Sequence, residues 1–459
     1  MTSPLPDAAR KLARTFQGRL LQPTDQGYEE ARRVHNGMVD KRPSLIAQCT
    51  GAADVAEAVN LARTLRLDVA VRAGGHNVAG RATLDGGLMI DLSPMKGVHV
   101  DPKVRTARAQ GGVTWGGLDR ETQLHGLATT GGMVSSTGIA GLTLGGGMGY
   151  LMGKHGLAID NLVSVDIITS DGRVLTASES EHTDLFWGIR GAGANFGVVT
   201  SLEYRLHPVG PTVTGGLIAY PFTAARDVLR FCRDVVAPSA PDELVVFPAL
   251  VHAPDGSGTK LAAIALCHCG PLSEGEAAVR PIKRFSVPAI DEVGPTTYCE
   301  LNSMLDADYP RGALNYWRSN FLAKLTDEAI DTMIECFRVC PSPLSELALE
   351  HVHGAVTRVG ISDTTFPHRA EGYNFLVLSQ WRDKAETDRC IAWARDTHTA
   401  MKPFMASGRY VNYLDHDETD DQVASAYGPN LRRLQTLKAT YDPSNFFHMN
   451  QNIRPAPTA

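Results

Sequence analysis

The sequence predicts an α+β protein laid out in three stretches. Residues 1–210 are organised around glycine-rich loops, 211–407 form a large, mostly antiparallel sheet backed by helices, and 408–459 return to motif-like sequence. Three observations carry this. The β-branched run Val69-Ala70-Val71 leads directly into Arg72-Ala73-Gly74-Gly75-His76-Asn77, and two more glycine clusters come later, at 131–150 and 188–200. After residue 211, long apolar strands alternate with helical stretches and no phosphate-type loop occurs.

A net charge of -6 gives no reason to expect nucleic acid or an anionic membrane surface as a partner. No apolar run is long enough to span a bilayer. The start, Met1-Thr2-Ser3-Pro4-Leu5-Pro6 and then Arg10 and Lys11, lacks the apolar core of a signal peptide, so a cytoplasmic location is the default expectation. Eight scattered cysteines make no disulfide framework in a chain of 459 residues and read as reduced thiols. Cys267-His268-Cys269 and the Cys336/Cys340 pair match no zinc spacing, so no metal is expected.

In chain order, Val55, Val59, Ala62 and Leu65 recur at helical spacing over 53–66. A half-buried strand begins at Val69. Gly74 and Gly75 then free the backbone for positive φ, and successive N–H groups in such a turn make a nest for phosphate oxygens. His76 stands where the nest opens. A histidine after two glycines is most often only a turn residue. The independent second cluster is what argues that this loop wraps a dinucleotide and that His76 is chemically joined to it. Residues 98–101 and 104–109 read as a hairpin closed near Asp101-Pro102, and 115–124 as a short helix.

The second cluster invites a nicotinamide-type reading, with Asp166 about 20 residues beyond Gly146. It fails on context. Gly145-Gly146-Gly147-Met148-Gly149 is not GxGxxG, and the chain continues into a strand from Leu162, an Asp171-Gly172 turn and a strand from Arg173. The helix that would aim its N-terminus at a pyrophosphate is missing. The third loop offers Arg190 for charge and three glycines for close approach before Val198 and Val199 begin a strand; Pro208, Gly210 and Pro211 mark a boundary. Strands are then expected at 244–250, 260–267, 347–359 and 373–381, with a helix at 329–339 and another near 422–440. This central part reads as the one that covers a cofactor and selects a substrate.

Taken together, Arg72-Ala73-Gly74-Gly75-His76-Asn77, the 131–150 loop, Gly191–Gly197, Tyr410-Val411-Asn412, and Tyr441-Asp442-Pro443 through Asn450-Gln451-Asn452-Ile453 resemble the berberine-bridge-enzyme-like branch of the vanillyl-alcohol-oxidase superfamily. The resemblance runs nearly end to end and is greatest for the bacterial group that includes 6-hydroxy-D-nicotine oxidase and the enterocin-pathway flavoenzyme. It implies a two-part FAD-binding domain of the PCMH type, made of 1–210 and 408–459, around a substrate domain at 211–407. It also implies an 8α-histidyl bond from His76 to FAD. Many relatives add a cysteinyl link in the second loop; here that position is Val134, so no such link is expected.

By the same resemblance, cofactor contacts are expected from Arg72, Ala73, Gly74, Gly75, Asn77 and Gly80 in the first loop. Gly132, Val134, Thr137, Gly138, Gly141 and Leu144 are expected in the second, with Gly145, Gly146, Gly147, Gly149 and Tyr150 after them. Asn161, Gly197, Val198, Val199, Tyr410, Asn412 and Asn450 complete the set. Thr137 and Gly138 are expected beside the reactive locus, where small groups leave room for O2.

For catalysis, Tyr410 and Asn412 share a face if they lie on a strand, and Tyr410 is the first candidate for proton abstraction or substrate orientation; a tyrosine packed only for structure is the alternative. On 349–354, Glu350 points one way and His351 and His353 the other, and the pattern does not say which face is inward. Glu350, His351, Gln380 and Tyr150 are therefore all candidates. The expected activity is an oxidase: hydride from an alcohol or amine carbon of a small secondary-metabolite, phenolic or N-heterocyclic molecule passes to flavin, and O2 becomes H2O2. The same fold acting as a dehydrogenase or as a flavin-oxygenating, monooxygenase-like enzyme is the alternative; a flavin-loaded binding or storage protein is a third. Monomer and homodimer are both open.

Overall fold

The computed structural model describes residues 5–457. Pro43–Gln48, Gly86–Asp91 and Val69–Arg72 are adjacent parallel strands, with Arg19–Leu21 antiparallel at one edge. Helix Ala52–Leu65 covers one face of this sheet through Val55, Val59 and Ala62. Tyr28, Ala31 and Leu84 cover the other, against Ile46, Ala70 and Met89. The strand expected to be half-buried is therefore covered on both sides, as parallel strands generally are.

The second sheet is antiparallel throughout, in the order Val98–Asp101, Thr106–Gln110, Val198–Arg205, Leu162–Ile168, Val174–Ser178. The expected hairpin, the Asp171-Gly172 turn and the strand after the third glycine loop are all here. Helix Trp115–Gln123 precedes the second glycine loop, which carries a short helix of its own, Ile139–Leu144. Ile139, Ala140 and Leu144 bury one side of it, and the glycines around and within it conceal that periodicity in the sequence.

The third sheet has eight strands. Seven lie in the order Ile290–Asp291, Thr212–Pro221, Lys260–His268, Leu244–His252, Glu346–Val352, Gly372–Trp381, Leu314–Phe321, and Gly294–Thr297 pairs separately with Thr212–Pro221. Helices Ala225–Phe231, Leu272–Arg284, Asp327–Arg338 and Thr387–Met401 back one face, where Leu347, Leu349, Phe375 and Val377 join their core. The strand expected over 347–359 stops at Val352 because Gly354 turns the chain into the short helix Ala355–Arg358.

The tail comes back to the second sheet. Leu434 and Leu437 of helix Leu431–Tyr441 pack with Leu185, Phe186 and Trp187. Lys438, fully buried, donates to Asp442 at 2.7 Å, to the Asn195 carbonyl at 2.6 Å and to the Phe447 carbonyl at 2.9 Å. Asp442 in turn accepts from the Phe446 and Phe447 N–H groups. All the N–H bonds of the Lys438 ammonium are thus engaged, which is what allows a charge to sit in a dry interior.

Candidate active site

A continuous cavity of about 350 Å³ runs from the glycine loops to the open face of the eight-stranded sheet. Ala73, Gly74, Gly75, His76 and Asn77 line one end. Among the described residues, the N–H groups of Gly74, Gly75, His76 and Asn77 donate to no protein acceptor, so four donors in succession are free at the cavity edge. Gly75 has φ 72°, the turn that presents them. A side chain on Gly74 would place its Cβ 2.3 Å from the Gly138 nitrogen, so the first and second loops touch backbone to backbone.

His76 is partly buried. Its Nε2 lies 2.9 Å from Ser136 Oγ and its Nδ1 3.4 Å from Thr137 Oγ1. The His35 ring stacks on it, with centroids 4.1 Å apart and planes 23° from parallel. Burial, with smaller contributions from His35 and Arg311, holds the imidazole down to about 3, so it is neutral at any ordinary pH. A neutral ring keeps one nitrogen lone pair for bonding.

The second loop contributes Gly132, Met133, Val134, Thr137, Gly138, Gly141 and Leu144 to the wall, the third Ala192, Gly193, Ala194, Gly197, Val198 and Val199. From the tail come Val411, Asn412 and Tyr413, then Phe447, Met449, Asn450 and Gln451. The Asn450 and Gln451 side-chain oxygens are buried without partners, as is Arg81 Nε, and Arg81 is the one Lys or Arg side chain of the lining among the described residues.

The sheet end is apolar and roomy for a simple reason. Ala263, Ala249 and Ala348 stand in register on three adjacent strands, continued by Leu376, and all four face the cavity. Phe247, Ala265 and Leu217 form the next row. Since Ala348 faces inward, Glu350 and Glu346 do too. Glu350 accepts from Tyr413 OH and from Asn374 Nδ2, each at 2.8 Å. Burial raises its carboxyl to about 7 against those two bonds. Glu346 accepts from Tyr309 OH and is likewise pushed up by burial. Tyr309 and Trp317 complete this end.

Several expected contacts lie elsewhere. Arg72 does not line the cavity: its guanidinium pairs with Asp91 and donates to the Ala31 and Arg33 carbonyls, with its stem under Gly75. Gly80, Gly145, Gly146, Gly147 and Gly149 form the backbone behind the wall rather than the wall itself. Arg190 is away from it too, over the Phe186 ring. Asn161 is spent on the His155 and Leu157 carbonyls and on His207. Tyr150 packs behind Phe247. His351 lies on the far face of its strand and stacks on His353 just past the strand's end. Gln380 shares a face with Leu378 but lies past the cavity, donating to the Asp308 carbonyl at 2.6 Å. Tyr410 and Asn412 do not share a strand face, because Val411–Tyr413 is a tight 3₁₀ turn. The Tyr410 hydroxyl accepts from the Gly147 N–H and from Asn412 Nδ2, both at 2.8 Å, and is sealed from the cavity. The tyrosine of this turn that reaches it is Tyr413.

His35, Arg81, Ser136, Tyr309, Trp317, Glu346 and Tyr413 were not legible as site residues. Ser136 sits inside the second glycine loop, and Tyr413 directly follows the Tyr410-Val411-Asn412 motif.

Two family models match the chain: the FAD binding domain over residues 43–178 and the berberine and berberine-like model over 409–454. An FAD-linked oxidoreductase of Dictyostelium discoideum is 32% identical over 416 residues, covering 90% of this chain and 89% of the relative. (R)-6-hydroxynicotine oxidase of Paenarthrobacter nicotinovorans is 31% identical over 453 residues, covering 96% and 97%. The crystal structure of 6-hydroxy-D-nicotine oxidase from Arthrobacter nicotinovorans superposes with a TM-score of 0.87 at 30% identity, covering 96% of this chain and 99% of that one. On identity above 30% along nine-tenths of the chain, and on both family models, the chain belongs to the berberine-bridge-enzyme-like family of FAD-linked oxidoreductases.

Proposed function

We propose that the protein is an oxidase in which FAD is attached through His76 alone and a small, largely apolar substrate, of the secondary-metabolite, phenolic or N-heterocyclic kind, lies between the flavin and the alanine row. The observation that carries this is the continuity of one cavity from the bare N–H groups of residues 74–77 to the carboxyl of Glu350. The residues present fit the cofactor. The nest at 74–77, the orphaned Arg81 Nε and the unpartnered Asn450 and Gln451 oxygens offer donors and acceptors that no protein group satisfies. Bound there, FAD supplies a two-electron acceptor that O2 can reoxidise with release of H2O2.

The chain's own part is positioning and proton handling. Leu217, Phe247, Leu376 and Leu378 exclude water and favour an apolar ring over a sugar, which would need hydroxyl partners along that wall. Trp317 and Tyr309 close the side. Glu350, held by Tyr413 and Asn374, is the group suited to take the proton from a substrate O–H or N–H as hydride leaves the adjacent carbon. Its elevated carboxyl places the switch from acid to base near neutrality.

The test is to precipitate the purified protein with acid and follow the yellow colour, then to measure H2O2 released per substrate oxidised over a panel of aromatic and heterocyclic alcohols and amines. Colour in the pellet and one peroxide per turnover are expected. Colour wholly in the supernatant would remove the covalent link; turnover without peroxide would make the enzyme a dehydrogenase or an oxygenase.

A further inference from the structure

The imidazole of His76 can form a bond through either nitrogen, and its surroundings treat the two differently. Nε2 has a hydroxyl at full hydrogen-bonding distance, Ser136 Oγ at 2.9 Å. Nδ1 has only the long 3.4 Å approach of Thr137 Oγ1. Ser136 is firmly placed. Its neighbour Ser135 is clamped by Asp306, which accepts from the Ser135 N–H at 2.7 Å and from its hydroxyl at 2.5 Å. On the other side the Thr137 N–H bonds the Val134 carbonyl at 3.0 Å, and Gly138 is wedged against Gly74. The His35 stack fixes the plane of the ring, and His35 is itself anchored by its N–H to the Gly75 carbonyl and by its carbonyl to the Gly312 N–H. The imidazole is therefore held in plane by one residue and fixed in rotation by another.

We propose that Ser136 is a positioning residue that selects the nitrogen of attachment: it accepts the proton of Nε2 and so leaves the Nδ1 lone pair to bond the cofactor. This rests on the reading that His76 carries the flavin. In the attachment step a bond forms between Nδ1 and the 8α-methyl carbon, and one methyl C–H bond breaks. The imidazole loses the Nε2 proton, which passes to Ser136 Oγ as that hydroxyl gives up its own proton to solvent. Two electrons and the two protons released reside on the reduced ring, and O2 takes them as H2O2, leaving the attached flavin oxidised. Hydrogen bonding at Nε2 thus stabilises the side of the ring on which positive charge grows as Nδ1 reacts.

The experiment compares full-length wild type, Ser136→Ala and Ser136→Thr. Total flavin is read by absorbance, covalent flavin by in-gel fluorescence after acid precipitation during a time course of expression, and the linked nitrogen by NMR of the flavin peptide from the wild type. The wild type should give the Nδ1 isomer. Ser136→Ala should retain flavin non-covalently while the covalent form accumulates on the order of tenfold more slowly, or as a mixture of isomers, and Ser136→Thr should restore wild-type behaviour. An Nε2 isomer in the wild type, or an alanine variant with unchanged rate and isomer, overturns the role of Ser136 and leaves attachment at His76 standing. If the alanine variant binds no flavin at all, the threonine variant decides: restoration supports the role and continued failure overturns it. A wild type with no covalent flavin overturns both.

Discussion

Replacing Glu350 by glutamine should move activity and stability in opposite directions, and the structure sets both magnitudes. The carboxyl is 2% exposed and raised from 4.5 to about 7. That difference corresponds to about 3 kcal/mol of preference for the neutral form in the folded state. The sign comes from proton counting. Between pH 4.5 and 7 the unfolded chain has released a proton that the folded one retains, so stability falls as pH rises through that window and is flat above it. Glutamine has no such slope. Most of that effect lies between pH 5 and 8, and a chain of 459 residues unfolds with an entropy of roughly 1 kcal/mol per kelvin. The melting temperature of the variant minus that of the wild type should therefore be roughly 2–3 °C more positive at pH 8 than at pH 5. Glu346 titrates in the same range but cancels in the difference. Meanwhile kcat/KM of the wild type should rise with pH toward a plateau above about 7, and the variant should lose that rise together with a factor of about 10²–10⁴. Scanning calorimetry at the two pH values and a pH–rate profile make the test. A melting difference that is the same at pH 5 and pH 8, or a variant with an unaltered rate profile, refutes the reasoning.

The same geometry sets other outcomes. His76→Ala should release all flavin into the supernatant on acid precipitation while the folded protein still binds it, as absorbance before and after precipitation will show. Val134 lines the cavity, so Val134→Cys should create a second point of attachment, read as flavin retained in the pellet by the double variant that also carries His76→Ala. Asp442→Asn leaves Lys438 charged in a dry interior without its counter-ion, at a cost of about 3–5 kcal/mol and a melting temperature lower by roughly 3–5 °C. Unchanged melting in that variant would mean the pair is not buried as described.

Much of the framework is legible because backbone rules act locally. The helix at 52–65, the loop at 74–77 and the antiparallel strands after residue 211 come from periodicity and glycine placement, and the order of motifs points to the family. Direction is where pattern fails. On 346–352 the alternation separates Glu350 from His351 but says nothing about which side is the cavity; that is decided by helices 327–338 and 387–401 packing on Leu347 and Leu349. At 410–413 a spacing of two reads as a strand, and the tight turn exchanges the roles, burying Tyr410 against Gly147 and delivering Tyr413 to Glu350. His35 is invisible for another reason. It comes from an irregular segment 41 residues before its partner and reaches it only because Gly75 and Gly312 fasten that segment, and pattern carries no record of such a tie.

The cavity wall has a consequence for biosynthesis. Its donors come from residues 74–77, its acceptors from 450 and 451, and its ceiling from strands between 217 and 378. A nascent chain that has emerged only as far as the eight-stranded sheet owns most of a cofactor berth but not the side that shuts it. The complete wall exists only once residues 411–413 and 447–451 have joined it, the latter tied in by the Lys438 bonds to Asp442 and to the Phe447 carbonyl.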